Sequence, residues 1–299
     1  MVEKLEAIAN QFCINATIKS ISTLQSGHIN DTYLVTTNTS DSFVLQKLNS
    51  YVFKDVIGLI DNKIKVAQLI SKNIESKHLN ILSTQFYKAK NGNFYVKGDD
   101  NEYWNLQNYI PNAITFDKVP NTEVVFEAGK LYGSFIALTN NATALEIKET
   151  LKDFHSVPFR LEQFKEALEN ASQARKEEAQ KEIDFVLEHQ LEMSKIDALK
   201  NVNTFPIRIT HNDTKLSNIL FDKCNKGLAV IDLDTVMPGI VHFDFGDSVR
   251  SICSNAEEDN DDFESLEIQL DYYKAYCKGY AKSTKKLLSK TEIKYLPLG

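Results

Sequence analysis

The hydrophobic period of this chain changes once, near residues 107–112, and that change narrows the possible folds more than any other feature. Ahead of it, after an opening helix with Leu5, Ile8 and Phe12 on one face, residues 17–24, 31–37 and 42–48 alternate as short strands. The breaks between them, Gln25-Ser26-Gly27-His28-Ile29-Asn30 and Asn38-Thr39-Ser40-Asp41, are rich in turn formers. Residues 54–75 place Val56, Leu59, Ile60, Ile64, Ala67 and Ile70 at helical spacing. Strands over 81–88 and 93–97, joined across Asn91-Gly92, follow, and a last strand runs over 102–110 into Pro111. Beyond about 120 the helical period takes over, at 122–139, at 160–198 (two helices) and at 263–284. A strand-like island at 205–233 and an Asp-rich loop system interrupt it. The pattern predicts an α+β chain of two lobes: a β-rich lobe of 1–106, a hinge at 107–111 and a mainly helical lobe of 112–299, with a cleft between the lobes.

Composition excludes several functions. Lys+Arg total 34 against 41 Asp+Glu, a net charge of −7, which argues against nucleic acid or an anionic membrane as the main partner. No stretch approaches the ~18 uninterrupted apolar residues of a membrane span. The opening Met1-Val2-Glu3-Lys4-Leu5-Glu6 lacks the basic start and apolar run of a signal peptide. Cys13, Cys224, Cys253 and Cys277 are far apart with no metal spacing, so reduced thiols in a cytoplasmic protein are expected. Oligomeric state leaves no mark on the sequence.

The chemistry concentrates in Ile209-Thr-His211-Asn-Asp213-Thr-Lys215-Leu-Ser-Asn218-Ile-Leu-Phe221, followed past a Gly227 turn by Ala229-Val-Ile-Asp232-Leu-Asp234. Two apolar strands thus frame a polar loop, and the second ends in two carboxylates. Asn218, Asp232 and Asp234 offer hard oxygen donors suited to Mg²⁺, which takes one or two carboxylates together with substrate phosphates. The spacing H-x-D-x-x-x-x-N fits the catalytic loop of protein kinases, where the Asp takes a hydroxyl proton and the Asn holds metal. Asp213 is then the base, and Lys215 is placed to meet the γ-phosphate. The alternative is a structural turn capped by Asp213. Asp244-Phe245-Gly246 spells the kinase metal motif but lies twenty-six residues past Asn218, too far for the usual hairpin. Asp232 fits that metal role better, which leaves Asp244, Asp247 and His211 to brace the loop.

These blocks, with Ile231-Asp-Leu-Asp-Thr-Val-Met-Pro-Gly239 and Phe243-Asp-Phe-Gly-Asp247, resemble the aminoglycoside phosphotransferase/choline kinase superfamily. Gly27-His-Ile-Asn-Asp-Thr-Tyr33 and Phe43-Val-Leu-Gln-Lys-Leu-Asn49 resemble its N-acetylhexosamine 1-kinases in particular. The resemblance implies a bilobal protein-kinase-like fold that uses ATP and Mg²⁺ to phosphorylate the anomeric hydroxyl of GlcNAc or GalNAc. It further implies ATP contacts from Gly27, a third-strand lysine, and hinge residues Gln107 and Tyr109; Tyr109 and Trp104 could equally be core aromatics, and Trp104 is read as one. His28, Asn30 and Asp31 become sugar contacts, the alternative for Asn30 and Asp31 being strand-start residues that satisfy a turn. The block containing His155 and Arg160 resembles one in the same subfamily, without a sugar-side role being expected of it.

The chain departs from that pattern in three ways. Its phosphate loop keeps only Gly27. Alternation puts Gln46 in the usual lysine slot, whereas Lys47 needs a one-residue shift but supplies the charge and is the preferred candidate. Relatives of this kind also continue past Tyr295-Leu-Pro-Leu-Gly299, which implies a shortened sugar-side wall.

Three rivals stand beside this reading. An aminoglycoside- or choline-type phosphotransferase would use the acidic run Glu257-Glu-Asp-Asn-Asp-Asp262 for a cationic acceptor. A pseudokinase-like module would explain the depleted loop but not the intact Asp213, Lys215, Asn218 and Asp232. Ser156-Val-Pro-Phe-Arg160 matches the short sulfatase core S-x-P-x-R, but the residues after it do not continue that signature.

Overall fold

The computed structural model describes residues 2–24, 29–140, 146–256, 260 and 265–299. The N-terminal part is a helix, α1 (Val2–Ala9), on an antiparallel sheet of five strands. These are β1 (Ile18–Thr23), β2 (Asp31–Thr37), β3 (Ser42–Leu48), β4 (Val96–Lys97) and β5 (Tyr103–Asn108), in the order β1-β2-β3-β5-β4. Helix α2 (Val56–Lys77) intervenes between β3 and β4.

Strand alternation divides the sheet into two faces. Val35, Phe43, Leu45, Trp104 and Leu106 pack with Leu5, Ile8 and Phe12. On the opposite face Leu48 packs with Phe53, Val56, Leu59, Ile60 and Ile64. The Asp55 carboxylate starts α2 by accepting the Gly58 N–H at 2.9 Å, and His78, at φ 51°, ends it.

Residues 81–88 do not form the expected strand. They run extended along the outer edge of β5, bridging at Phe86–Gln107, because β4 already occupies that edge at Tyr103 and Trp104. The Asn91-Gly92 turn therefore closes a short loop rather than a regular hairpin.

The C-terminal part contains α3 (Thr122–Thr139), α4 (Val157–Asn170), α5 (Gln173–Glu178), α6 (Gln180–Met193) and α7 (Lys195–Asn201). Then come β6 (Arg208–Thr210), β7 (Ile219–Phe221), β8 (Gly227–Val230) and β9 (Met237–Gly239), and helices α8 (Val241–Ile252), α9 (Leu270–Thr284) and α10 (Lys290–Tyr295). Its core forms around α3 and α9, whose backbones touch. A Cβ on Gly279 would lie 2.0 Å from the Phe126 carbonyl oxygen, and one on Gly129 would lie 2.3 Å from that of Tyr276.

The stretch expected as two helices over 160–198 breaks into pieces, with Ser156 and Ser172 capping α4 and α5. Ser156 accepts the Phe159 N–H, so the sulfatase-like pentapeptide is a helix start. The Asp-rich region expected as loop contains α8, whose Val241, Phe245, Ser248 and Ile252 are buried at helical spacing. Helix α9 begins at Leu270, not 263. All four cysteines are free thiols, and no helix among the described residues is long and apolar enough to cross a membrane.

Candidate active site

Strand β6 pairs with β9 and β7 with β8, which puts 211–218 and 231–236 side by side. His211 is fully buried. Its Nε2 meets the Ile231 carbonyl at 2.9 Å, and its ring lies edge-on to Tyr132 and Phe135. Asn212, at φ 65°, turns the chain and bonds the Thr235 carbonyl at 2.8 Å, while the Thr235 hydroxyl returns a bond to the His211 carbonyl at 2.6 Å.

Helix α8 holds the same loop from behind. Asp244 accepts the backbone N–H groups of His211 (2.9 Å) and Asn212 (2.8 Å), and Asp247 accepts that of Thr214 (2.6 Å). Burial pushes the Asp244 carboxyl up to about 6, against the pull of those donors.

This frame aims Asp213. Its Oδ2 receives a bond from Asn218 Nδ2 at 2.8 Å and an ion pair from Lys215 Nζ at 3.0 Å. Both charged side chains stay partly exposed, and Tyr132 fixes the Lys215 carbonyl with its hydroxyl at 2.6 Å. Burial alone would lower the Lys215 ammonium, but Asp213, Asp232 and Asp247 raise it overall. Asp232 turns in from the other strand at φ 62°, a conformation that Asp and Asn tolerate better than most side chains. Burial and the Asp234 charge push it up to about 7, with Lys63 opposing.

A buried carboxylate beside a second anion suits a cation, and Asn218 engages Asp213 through its amide nitrogen while its carbonyl oxygen stays available to ligate one. No group of three or more His, Cys, Asp or Glu side chains among the described residues could hold a metal unaided. Mg²⁺ bound with phosphates needs no such cage, so Asn218 and Asp232 fit it.

Several expected positions are used differently. The two oxygens of Asp234 are engaged by Lys63 of α2 and by Asn30, so Asp234 is committed to a buried ion pair. Asn30 is likewise engaged at both ends, since its Oδ1 accepts the Asn49 N–H at 2.8 Å. Lys47 lies on the α1 face of the sheet, 3.0 Å from Glu102 and 3.6 Å from Asp31. Alternation from Leu45 forces it there, and Asp31, directly opposite in register, goes with it, away from the α2 face. Gln46 is the residue that faces α2.

The backbone N–H of Tyr109 donates to the Ser42 carbonyl at 3.0 Å, so that amide does not serve an adenine. Gln107 lies opposite Val44, on the face shared with Gln46. Gly27, His28 and most of the acidic run 257–262 lie outside the described residues. His155 stacks on Phe243 at 5.2 Å, and burial lowers its imidazole, whereas Arg160 bonds Gln163 and the Phe154 carbonyl within its own helix region.

The residue missed by sequence reasoning is Lys63. It sits seven positions after Val56 and four before Ala67, inside the apolar stripe of α2, and a lysine at a core position was the available signal.

Solved structures share this fold. A microcompartment-associated aminopropanol kinase matches with a TM-score of 0.68 at 16% identity, over 98% of this chain and 84% of that one. An aminoglycoside phosphotransferase from Alicyclobacillus acidocaldarius gives 0.64 at 12%, over 98% and 81%. A spectinomycin phosphotransferase in complex with ADP and spectinomycin gives 0.57 at 12%, over 100% and 84%. The family model described as "Phosphotransferase enzyme family" matches residues 20–282, a span that takes in nearly all of the sheet, the Asp213 loop and nearly all of α9. The chain therefore belongs to the phosphotransferase enzyme family.

Proposed function

We propose that this protein transfers the γ-phosphoryl group of ATP to a hydroxyl of a small molecule, the acceptor being the anomeric 1-OH of an N-acetylhexosamine. The sheet lobe of 1–106 holds the nucleotide, 107–111 acts as the hinge, and the helical lobe of 112–299 holds the acceptor. One observation carries the reading: Asp213 is aimed by a buried frame yet stays partly exposed, with Lys215 at 3.0 Å and Asn218 at 2.8 Å.

In the reaction the acceptor oxygen attacks the γ-phosphorus, the bond to the β-phosphate oxygen breaks, and Asp213 Oδ2 receives the hydroxyl proton. Lys215 meets charge on the transferring group. Asn218 and Asp232 would hold Mg²⁺, which neutralises phosphate charge when bound. The sugar assignment rests on the Gly27–Tyr33 and Phe43–Asn49 blocks. An amine-bearing acceptor is the second reading, favoured by the names of neighbours of the same fold, an aminopropanol kinase and aminoglycoside-type phosphotransferases.

ADP release with ATP and Mg²⁺ tests both, using GlcNAc, GalNAc, glucose, kanamycin and choline as acceptors. Turnover with an N-acetylhexosamine is expected, falling about 10²–10⁴-fold in Asp213→Asn with the melting temperature unchanged. Turnover with kanamycin or choline alone keeps the phosphotransferase and overturns the sugar.

A further inference from the structure

Lys63 is a charged group buried beside the site: its side chain is 2% exposed. A buried ammonium must be paired and hydrogen-bonded, and this one is. It donates to Asp234 Oδ1 and, at 2.9 Å, to Gln46 Oε1, with the Phe86 ring 5.6 Å away. It thereby connects three elements that are remote in sequence: α2, β3 and the turn after β8.

Asp234 lies two residues past Asp232, on the same tight turn. An ion pair that pins Asp234 therefore also pins the short turn of backbone that carries Asp232. The adjoining Asn62 reinforces the hold, bonding the Val236 carbonyl at 3.1 Å and, from Lys148, both the carbonyl (2.7 Å) and the N–H (2.9 Å). Helix α2 therefore grips the turn at 234 and again at 236.

We propose that Lys63 is the positioning residue of the nucleotide-metal site: from helix α2 it fixes Asp234, and through that turn it fixes the orientation of Asp232. Protein kinases place their site lysine on the third strand, paired with an acid from the helix. Here the strand carries the neutral Gln46, and the cation is on the helix, paired with Asp234 of the turn. Lys63 is too enclosed to touch phosphate, so it acts through Asp234. This inference rests on the ATP- and Mg²⁺-dependent reading above.

The geometry allows the charge to be moved. A lysine at position 46 would bring its ammonium to the place Lys63 Nζ now fills. Asn105, directly opposite Gln46, is fully buried with both amide atoms unpartnered and would offer it an acceptor.

The test is calorimetric binding of the β,γ-imido analogue of ATP, with and without Mg²⁺, to the wild type, Lys63→Gln and the swap Lys63→Gln/Gln46→Lys, with melting curves of each apo protein. Lys63→Gln is expected to weaken Mg²⁺-dependent binding about 10–100-fold, the range of residues that orient metal ligands, and metal-free binding less. The swap is expected to restore Mg²⁺-dependent binding. Undiminished Mg²⁺-dependent binding by Lys63→Gln overturns the proposal, as does a swap that fails to fold or folds without regaining affinity. A wild type that binds no Mg²⁺·nucleotide overturns the kinase reading itself, and this inference with it.

Discussion

Asp244 Oδ2 accepts the main-chain N–H of His211 at 2.9 Å, so the first turn of α8 holds the backbone that aims Asp213. Its other oxygen takes the N–H of Asn212, and Asp244→Ala would leave two buried donors unpaired. At about 1–3 kcal/mol for each, a loss of about 3 kcal/mol is expected in urea unfolding, with a large fall in kcat. An unchanged unfolding midpoint would contradict the bracing role.

Lys47 gives the opposite expectation. Its ammonium lies between Glu102 and Asp31, one third exposed, on the α1 face. Lys47→Ala should cost no more than about 1 kcal/mol, as exposed pairs do, and should leave the KM for ATP unchanged. A large rise in that KM would return Lys47 to the phosphates.

The Arg208–Glu292 pair predicts a pH dependence of stability. Arg208 Nε lies 2.9 Å from Glu292 Oε1, and Glu292 is 1% exposed. Burial alone would raise this carboxyl, but Arg208 and the Ser289 N–H hold it below its ordinary 4.5. A depressed carboxylate contributes stability that is full above about 4.5 and lost as the pH falls through the lower folded value. Glu292→Gln should cost about 3 kcal/mol at pH 7, and its gap to wild type should narrow below pH 4.5. A gap constant from pH 7 down to 3 would refute the assignment.

Gly279→Ala sets two effects against each other. Alanine gains about 1 kcal/mol of helix propensity, but its Cβ would meet the Phe126 carbonyl oxygen at 2.0 Å, and overpacking against backbone costs about 3 kcal/mol. Net destabilisation of about 2 kcal/mol is expected from thermal or urea unfolding. A neutral or stabilised variant would mean that α3 and α9 are not in such close contact.

Local pattern was enough for much of this protein. Alternation and turn residues defined β1 to β3, and the apolar stripe of Val56, Leu59, Ile60, Ile64 and Ala67 defined α2, because these periods follow from backbone geometry alone. The loop from His211 to Asn218 was legible for the same reason, since a short polar segment between two apolar strands can only be a turn with its polar groups gathered together. Tertiary structure decided what period cannot express. The choice between Gln46 and Lys47 needed the side of the sheet on which α2 packs, and the fate of Asp234 needed a lysine 171 positions away in sequence. A buried charge is stable only beside its partner, and which partner the fold supplies is set by packing between distant elements, not by spacing along the chain.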